Sequence, residues 1–218
     1  MVMWMLYKII RKLIGNLSLI FDKIFSLIVF YGNRVTFVSF KTTGIPYVMV
    51  ARGGKFLIGY NFSMNNGIGG NPIGCYDRCT FFVDRGAKLI IGNHVGMSQA
   101  ALICHQSITI GNYVKIGGGV KIYDTNFHSL DPKLRYSNED LKQKVKAPVV
   151  VKDNAFIGAY SIVMKGVTIG ENSIIGAGSV VLKSVPDNQI WAGNPAKFIR
   201  EILYEENSNT THCSQPQD

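Results

Sequence analysis

The chain has 218 residues, 47% of them hydrophobic and 17% charged, a balance that excludes intrinsic disorder and allows one well-buried domain with appendages. The formal net charge is +9, with positive residues spread along the chain and one cluster at Lys142, Lys144 and Lys146. No basic helix is interleaved with aromatics, which argues against a nucleic-acid partner and leaves a membrane surface or an anionic small molecule.

The first 31 residues, MVMWMLYKIIRKLIGNLSLIFDKIFSLIVFY, are strongly apolar but interrupted by Lys8, Arg11, Lys12, Asp22 and Lys23. The uncharged stretch from Ile24 to Gly32 is too short to cross a bilayer, which takes about 18 or more apolar residues. No small-residue cleavage site of a signal peptide follows. The predicted element is an amphipathic helix, with a linker up to residue 46. Two roles are open to it: packing over the end of the domain or on a neighbouring subunit, or lying in a membrane interface.

Further on, GKFLIGYNFSM (Gly54 to Met64) resembles GAKLIIGNHVGM (Gly86 to Met97), so residues 47–90 read as degenerate repeats with an insertion around Asn65 to Asp84. Cys75 and Cys79 form a C-x3-C pair with no second pair or close histidine, so no metal site is expected. With Cys104 and Cys213 they are read as free thiols in a reducing compartment.

The repeat then becomes strict. Starting at Val151, every sixth residue is aliphatic and β-branched: Val151, Ile157, Val163, Ile169, Ile175 and Val181. Four places on, Ala155, Ser161, Val167, Ser173, Ser179 and Val185 are all small or modest in volume. Upstream the same grid runs through Ile110, Ile116 and Ile122, and one residue out of phase through Ile91, Met97 and Ile103. A period of six would wander around an α-helix. Short strands joined at corners keep both sets inward, and β-branched side chains favour that geometry. Gly158, Gly170 and Gly176 fall at the second position, where a corner needs close backbone approach. Stacked flat faces then bury an aliphatic ladder in a narrow prism.

The grid breaks at residues 124–148, DTNFHSLDPKLRYSNEDLKQKVKAP, and a long loop inside a tight solenoid points to function. It carries His128, whose neutral imidazole could take a proton from a hydroxyl. Asp124, Asn126, Asp131 or a backbone carbonyl could orient its second nitrogen. His105, one coil and a few residues earlier, is placed at the same cleft. His94 falls at an exposed turn position. His212 lies in the polar segment 204–218, read as disordered.

The segment IGENSIIGAGSVVLKSVPDNQIWAGNPAKFIREI resembles the C-terminal signature of hexapeptide-repeat acetyltransferases, among them the maltose and galactoside, nodulation and polysaccharide O-acetyltransferases. The resemblance spans roughly residues 50–203. It implies an all-β fold, a left-handed parallel β-helix over residues 47–203, closed by a short helix from Ala196 to Glu205. It also implies a homotrimer with sites between neighbouring prisms, acetyl-CoA as cosubstrate and no metal. His128 is then the general base, with Asp124, Asn126, Asp131 and His105 towards the acceptor. Ala159 and Ala177 match backbone contacts to the pantetheine arm, and Lys183 and Arg200 match cations near the nucleotide phosphates. Three positions depart from the pattern: Phe156 stands for the usual tryptophan, Lys165-Gly166 for Pro-Gly, and Leu182 for threonine. The expected activity is acetyl transfer to the hydroxyl of a sugar or surface-polysaccharide precursor, in the cytoplasm at the inner face of a membrane. A non-catalytic solenoid scaffold is the alternative, and it would need neither the His128 loop nor the GNPAK closure.

Overall fold

The computed structural model describes residues 2–203. Inward-facing aliphatics and small corner residues wind the chain through three parallel sheets that enclose one core. The first sheet stacks Thr36–Phe37, Lys55–Ile58, Lys88–Ile91, Ser107–Ile110, Val149–Val151 and Thr168–Ile169. The second stacks Phe40–Thr43, Phe62–Asn65, Gly96–Ser98, Lys115–Ile116, Phe156–Ile157 and Ile174–Ile175. The third stacks Tyr47–Val50, Thr80–Val83, Ala101–Cys104, Lys121–Tyr123, Ile162–Val163 and Val180–Val181. The chain visits the sheets in that order on every turn, and the coils wind left-handed.

In the late coils the register is eighteen residues, as Val150↔Thr168, Phe156↔Ile174 and Ile162↔Val180 show. In most strands buried and less buried residues alternate, so Leu89 and Ile91 point into the core while Lys88 points out. Corners stack as tightly as the ladders. A Cβ on Gly158 would lie 2.5 Å from the Ala177 nitrogen, and one on Gly117 equally close to the Ala159 nitrogen. Another corner is a column of left-handed residues, Asn61, His94, Tyr113, Asn154, Asn172 and Asn188, with φ between 54° and 60°. Short polar side chains tolerate that region. His94 belongs to this column: half-buried, its ring stacks on Tyr113 at 4.7 Å, and Asn61 lies 3.1 Å from its Nδ1.

Two insertions leave the prism. Residues 66–79 depart between the second and third sheets, so that strands on either side pair thirty-three residues apart (Lys55↔Lys88). Residues 124–148 depart between the third and first sheets, with strands forty-one apart (Lys121↔Ile162).

The structure corrects two boundaries. The β-helix begins at Thr36 rather than at 47, because Thr36–Phe37 and Phe40–Thr43 already pair with the next coil. Its C-terminal end is closed by a strand rather than by the helix expected from Ala196 to Glu205. Gln189–Gly193 continues the second sheet, the chain reverses through Gly193 at φ +104°, and Ala196–Glu201 returns antiparallel. The open backbone edge of Gln189–Gly193 supplies hydrogen-bond partners to Ala196–Glu201 along its length. Residues 204–218, with the expected disordered tail and His212, lie outside the described residues.

At the other end helix α1 (Val2–Gly32) plugs the prism with its last turns. Phe30 is fully buried, its ring 4.7 Å from Phe40 and 6.4 Å from Phe56.

If the inward ladder carries the stability, Leu89→Ala should cost about 2–5 kcal/mol while Lys88→Ala on the same strand costs under about 0.5. The shift of the denaturant midpoint measures both.

Candidate active site

The 124–148 loop is pinned at its neck before any side chain in it is positioned. The Ala147 amide donates to the Asp124 carbonyl at 3.0 Å, the Asn126 amide donates to the Val145 carbonyl at 3.1 Å, and Thr125 bridges Lys146. Asp124 itself is fully buried. Its carboxylate accepts from the backbone amides of His105, Gln106 and Ser107 at 2.7–2.8 Å. That use is incompatible with the expected place of Asp124 beside the acceptor or on His128. A buried carboxylate needs every donor within reach, and three successive amides of the preceding coil supply them.

His128 follows Phe127, which sits at φ +66° with its amide donating to the Thr125 hydroxyl at 3.2 Å. This turn throws the His128 side chain outward, where it is 63% exposed. Its Nδ1 lies 2.6 Å from Oδ2 of Asp140, whose Oδ1 accepts from the Ser129 amide at 2.7 Å. The hydrogen bond from His128, then that from Ser129, holds the Asp140 carboxyl below its ordinary value. An ionised Asp140 accepts only, so the pairing assigns the proton to Nδ1 and leaves the lone pair on Nε2 of a largely exposed ring. Asp140 was not among the partners the sequence suggested. Asn126 contributes its carbonyl to the His128 amide at 2.8 Å, and Asp131 caps the short helix Pro132–Arg135 through the Lys133 amide.

His105, on the preceding coil, is only 10% exposed. Its Nδ1 is 2.7 Å from Asp84 Oδ2, and Lys144 Nζ from the loop lies 2.9 Å from the same nitrogen. Burial by itself would raise the Asp84 carboxyl, but the Arg85 amide, the His105 hydrogen bond and the charges of His105 and Lys144 hold it low. Lys146 donates to the His105 carbonyl at 3.3 Å. This cluster ties the loop to the previous coil. Above it an aromatic wall forms: Phe127 meets His105 at 6.1 Å and Tyr123 at 5.1 Å, edge to face, and Phe82 meets His105 at 5.1 Å.

The other expected residues divide by corner. Ala159 and Ala177 stack between the second and third sheets, the Ala159 carbonyl accepting from the Gly178 amide at 2.8 Å. Lys183 lies at the C-terminal end, in a groove of about 330 Å³ with Leu182, Trp191, Ala196, Lys197 and Phe198. Arg200 is on the returning strand outside that lining, its guanidinium donating to the Glu201 carbonyl. Lys197, which sequence reasoning passed over, lines the groove together with Lys183. The described residues hold no cluster of three or more groups that could bind a metal.

The comparisons with known proteins agree with this architecture. Residues 148–183 match the model of the bacterial transferase hexapeptide family (six repeats). The chain is 35% identical over 139 residues to nodulation protein L of Rhizobium meliloti, covering 63% of this chain and 73% of that one. The chain belongs to the hexapeptide-repeat acetyltransferase family. A second family member, the galactoside O-acetyltransferase of Lactococcus lactis, is 36% identical over 133 residues, 59% of this chain and 60% of that one. Three further curated relatives are spanned over only 45 to 65% of their length. The fold is shared with AntD, an N-acyltransferase from Bacillus cereus, at TM-score 0.59 and 20% identity, over 79% of this chain and 85% of that one.

Asp140 and Asp84 were missed because both are brought in by the path of the backbone. Asp84 had a signal: it stands twenty-one residues before His105, one early coil, as Val83↔Cys104 pairs. Asp140 had none beyond being an acid in the loop. The pairing is expected to appear in ¹⁵N NMR of His128 as the Nδ1–H tautomer near neutral pH, shifting towards the usual Nε2–H preference in Asp140→Asn. An Nε2–H ring in the wild type would remove the lone pair from Nε2.

Proposed function

We propose that this protein is an acetyl-CoA-dependent O-acetyltransferase acting on a sugar hydroxyl, with His128 as general base and Asp140 as its positioning residue. The observation that carries the reading is the His128–Asp140 pair at 2.6 Å, on a side chain 63% exposed in the longer insertion of the prism. Family membership supports acetyl transfer, and the likeness to a galactoside O-acetyltransferase supports a sugar acceptor. A non-catalytic scaffold has no use for an imidazole so fixed and so exposed.

The residues present fit acetyl-CoA. The groove at the C-terminal end offers Lys183 and Lys197 to anionic phosphates and Trp191, Leu182 and Phe198 to apolar parts. Bound there, acetyl-CoA supplies an activated acyl group. His128 Nε2 accepts the proton of the acceptor hydroxyl as its oxygen forms the new C–O bond and the C–S bond breaks; the imidazolium then returns that proton to the departing thiolate. Asp140 stabilises the transient imidazolium, and Phe127 and Tyr123 form an apolar wall beside the acceptor. Polar groups of Asn126, Asp131 and His105 remain near the acceptor in this reading. A homotrimer would enclose the exposed His128 against a neighbouring prism, excluding water from the thioester. The three described cysteines, all free and buried, suit a reducing cytoplasm.

The test is acetyl-CoA turnover, followed as free thiol, against galactosides and nucleotide sugars. His128→Ala is expected to lower kcat by about 10²–10⁴-fold with coenzyme A binding retained. Full activity in the variant would move the base elsewhere, and no coenzyme A binding by the wild type would favour a scaffold.

A further inference from the structure

Helix α1 has 31 residues, and only its last third is used by the prism. Asp22 accepts from the Gly44 amide at 2.7 Å, Lys23 donates to the Phe40 carbonyl, and Ser26 and Phe30 are buried. Residues 3–21 are exposed along their whole length. At 1.5 Å per residue the free part extends about 30 Å from the end of the first coil.

Its surface is divided. Ile10, Ile14, Leu17, Phe21, Ile24 and Ile28 follow one another at alternating spacings of four and three and are 45 to 68% exposed. Leu6, Leu13 and Ile20 widen this face, each at least 50% exposed. It is therefore broader than the two-position seam of a coiled coil. Lys8, Arg11 and Lys12 project on the opposite side, in line with the buried Ser26 and Phe30, and Lys8 lies 3.8 Å over the Trp4 ring. Acidic residues are absent before Asp22.

The composition and length of α1 would pass for a membrane span. Geometry excludes that role for the free part, because Lys8, Arg11 and Lys12 would fall at the bilayer centre, where cations are costly. A helix with one broad apolar face and a cationic back instead lies in the plane of the interface. A second cationic feature sits at the same end of the prism. Arg34, Arg52 and Lys55 line a hollow of about 650 Å³ that begins at Gly32, the last residue of α1. None of the three is ion-paired among the described residues.

We propose that α1 lies flat in the surface of an anionic membrane, its apolar face in the acyl boundary, with Lys8, Arg11, Lys12 and the Arg34–Arg52–Lys55 hollow engaging lipid phosphates. This attachment stands apart from the acetyl-transfer reading. It would hold the N-terminal end of the prism against the lipid.

Sedimentation of the full chain with vesicles tests it, using phosphatidylcholine alone and phosphatidylcholine mixed with phosphatidylglycerol. The wild type is expected to bind the anionic vesicles at least about tenfold more tightly, with the preference shrinking as salt rises. Ile14→Glu with Leu17→Glu, both fully outside the core, should abolish binding while leaving thermal unfolding unchanged. Lys8→Gln, Arg11→Gln and Lys12→Gln together should weaken binding to the anionic vesicles and shrink the preference over neutral ones. Three results would overturn the proposal. One is no vesicle binding, or binding indifferent to the glutamates. Another is resistance of bound protein to alkaline carbonate, the mark of a span. The third is a lipid-free assembly that the glutamates dissociate, which would make the occupant further copies of α1.

Discussion

Backbone hydrogen bonds run from each coil to the next along all three sheets, and they hold the length of a coil that stays within the prism to a narrow range. In the late coils eighteen residues return the chain to the same corner one layer on, and the earlier uninterrupted coils take nineteen to twenty-two. At that separation a corner glycine faces a neighbouring backbone nitrogen at a distance no Cβ could share. The core is correspondingly narrow, with one or two inward residues per strand and little room to relax around a cavity. Anything the protein needs beyond a stable rod has to be expelled from the prism or attached to its ends.

The candidate site follows from that constraint. The loop leaves at one corner and returns to the same corner, so its neck must be fastened where it crosses the coil edge. Asp124 does this from inside, by using its carboxylate on three amides of the preceding coil. His105, Asp84 and Lys144 do it from outside. Only beyond these ties does the chain take the left-handed turn at Phe127 and present His128. The imidazole is thus held by the loop's own ties while most of its side chain stays exposed. Asp140 fixes the ring through one oxygen and the backbone through the other, so loop shape and ring orientation are set by the same group.

Much of the fold was legible because periodicity is a direct image of strand geometry. The six-residue grid located the late coils, and the break in the grid located the loop and His128. The first coil escaped because its inward Phe40 and Thr42 are not the β-branched aliphatics of the later ladder, and α1 supplies part of its packing. The C-terminal strand escaped because Ala196–Glu201 acquires its conformation from an edge that exists only once Gln189–Gly193 has joined the sheet. Asp140 escaped because a loop of 25 residues has no period from which a contact could be read. Asp124 was misassigned for the opposite reason: its position at the loop entry was clear, but nothing in the sequence tells whether a carboxylate there faces outward or caps the coil below.

The coupling of His128 to Asp140 is tested most directly by a double-mutant cycle on acetyl transfer, comparing kcat for His128→Ala, Asp140→Asn and the pair. If Asp140 acts only through the imidazole, Asp140→Asn costs roughly ten- to a hundredfold and the double variant is no slower than His128→Ala alone. Losses that multiply in the double variant, or an Asp140→Asn enzyme as fast as the wild type, would contradict the pairing as the source of the base.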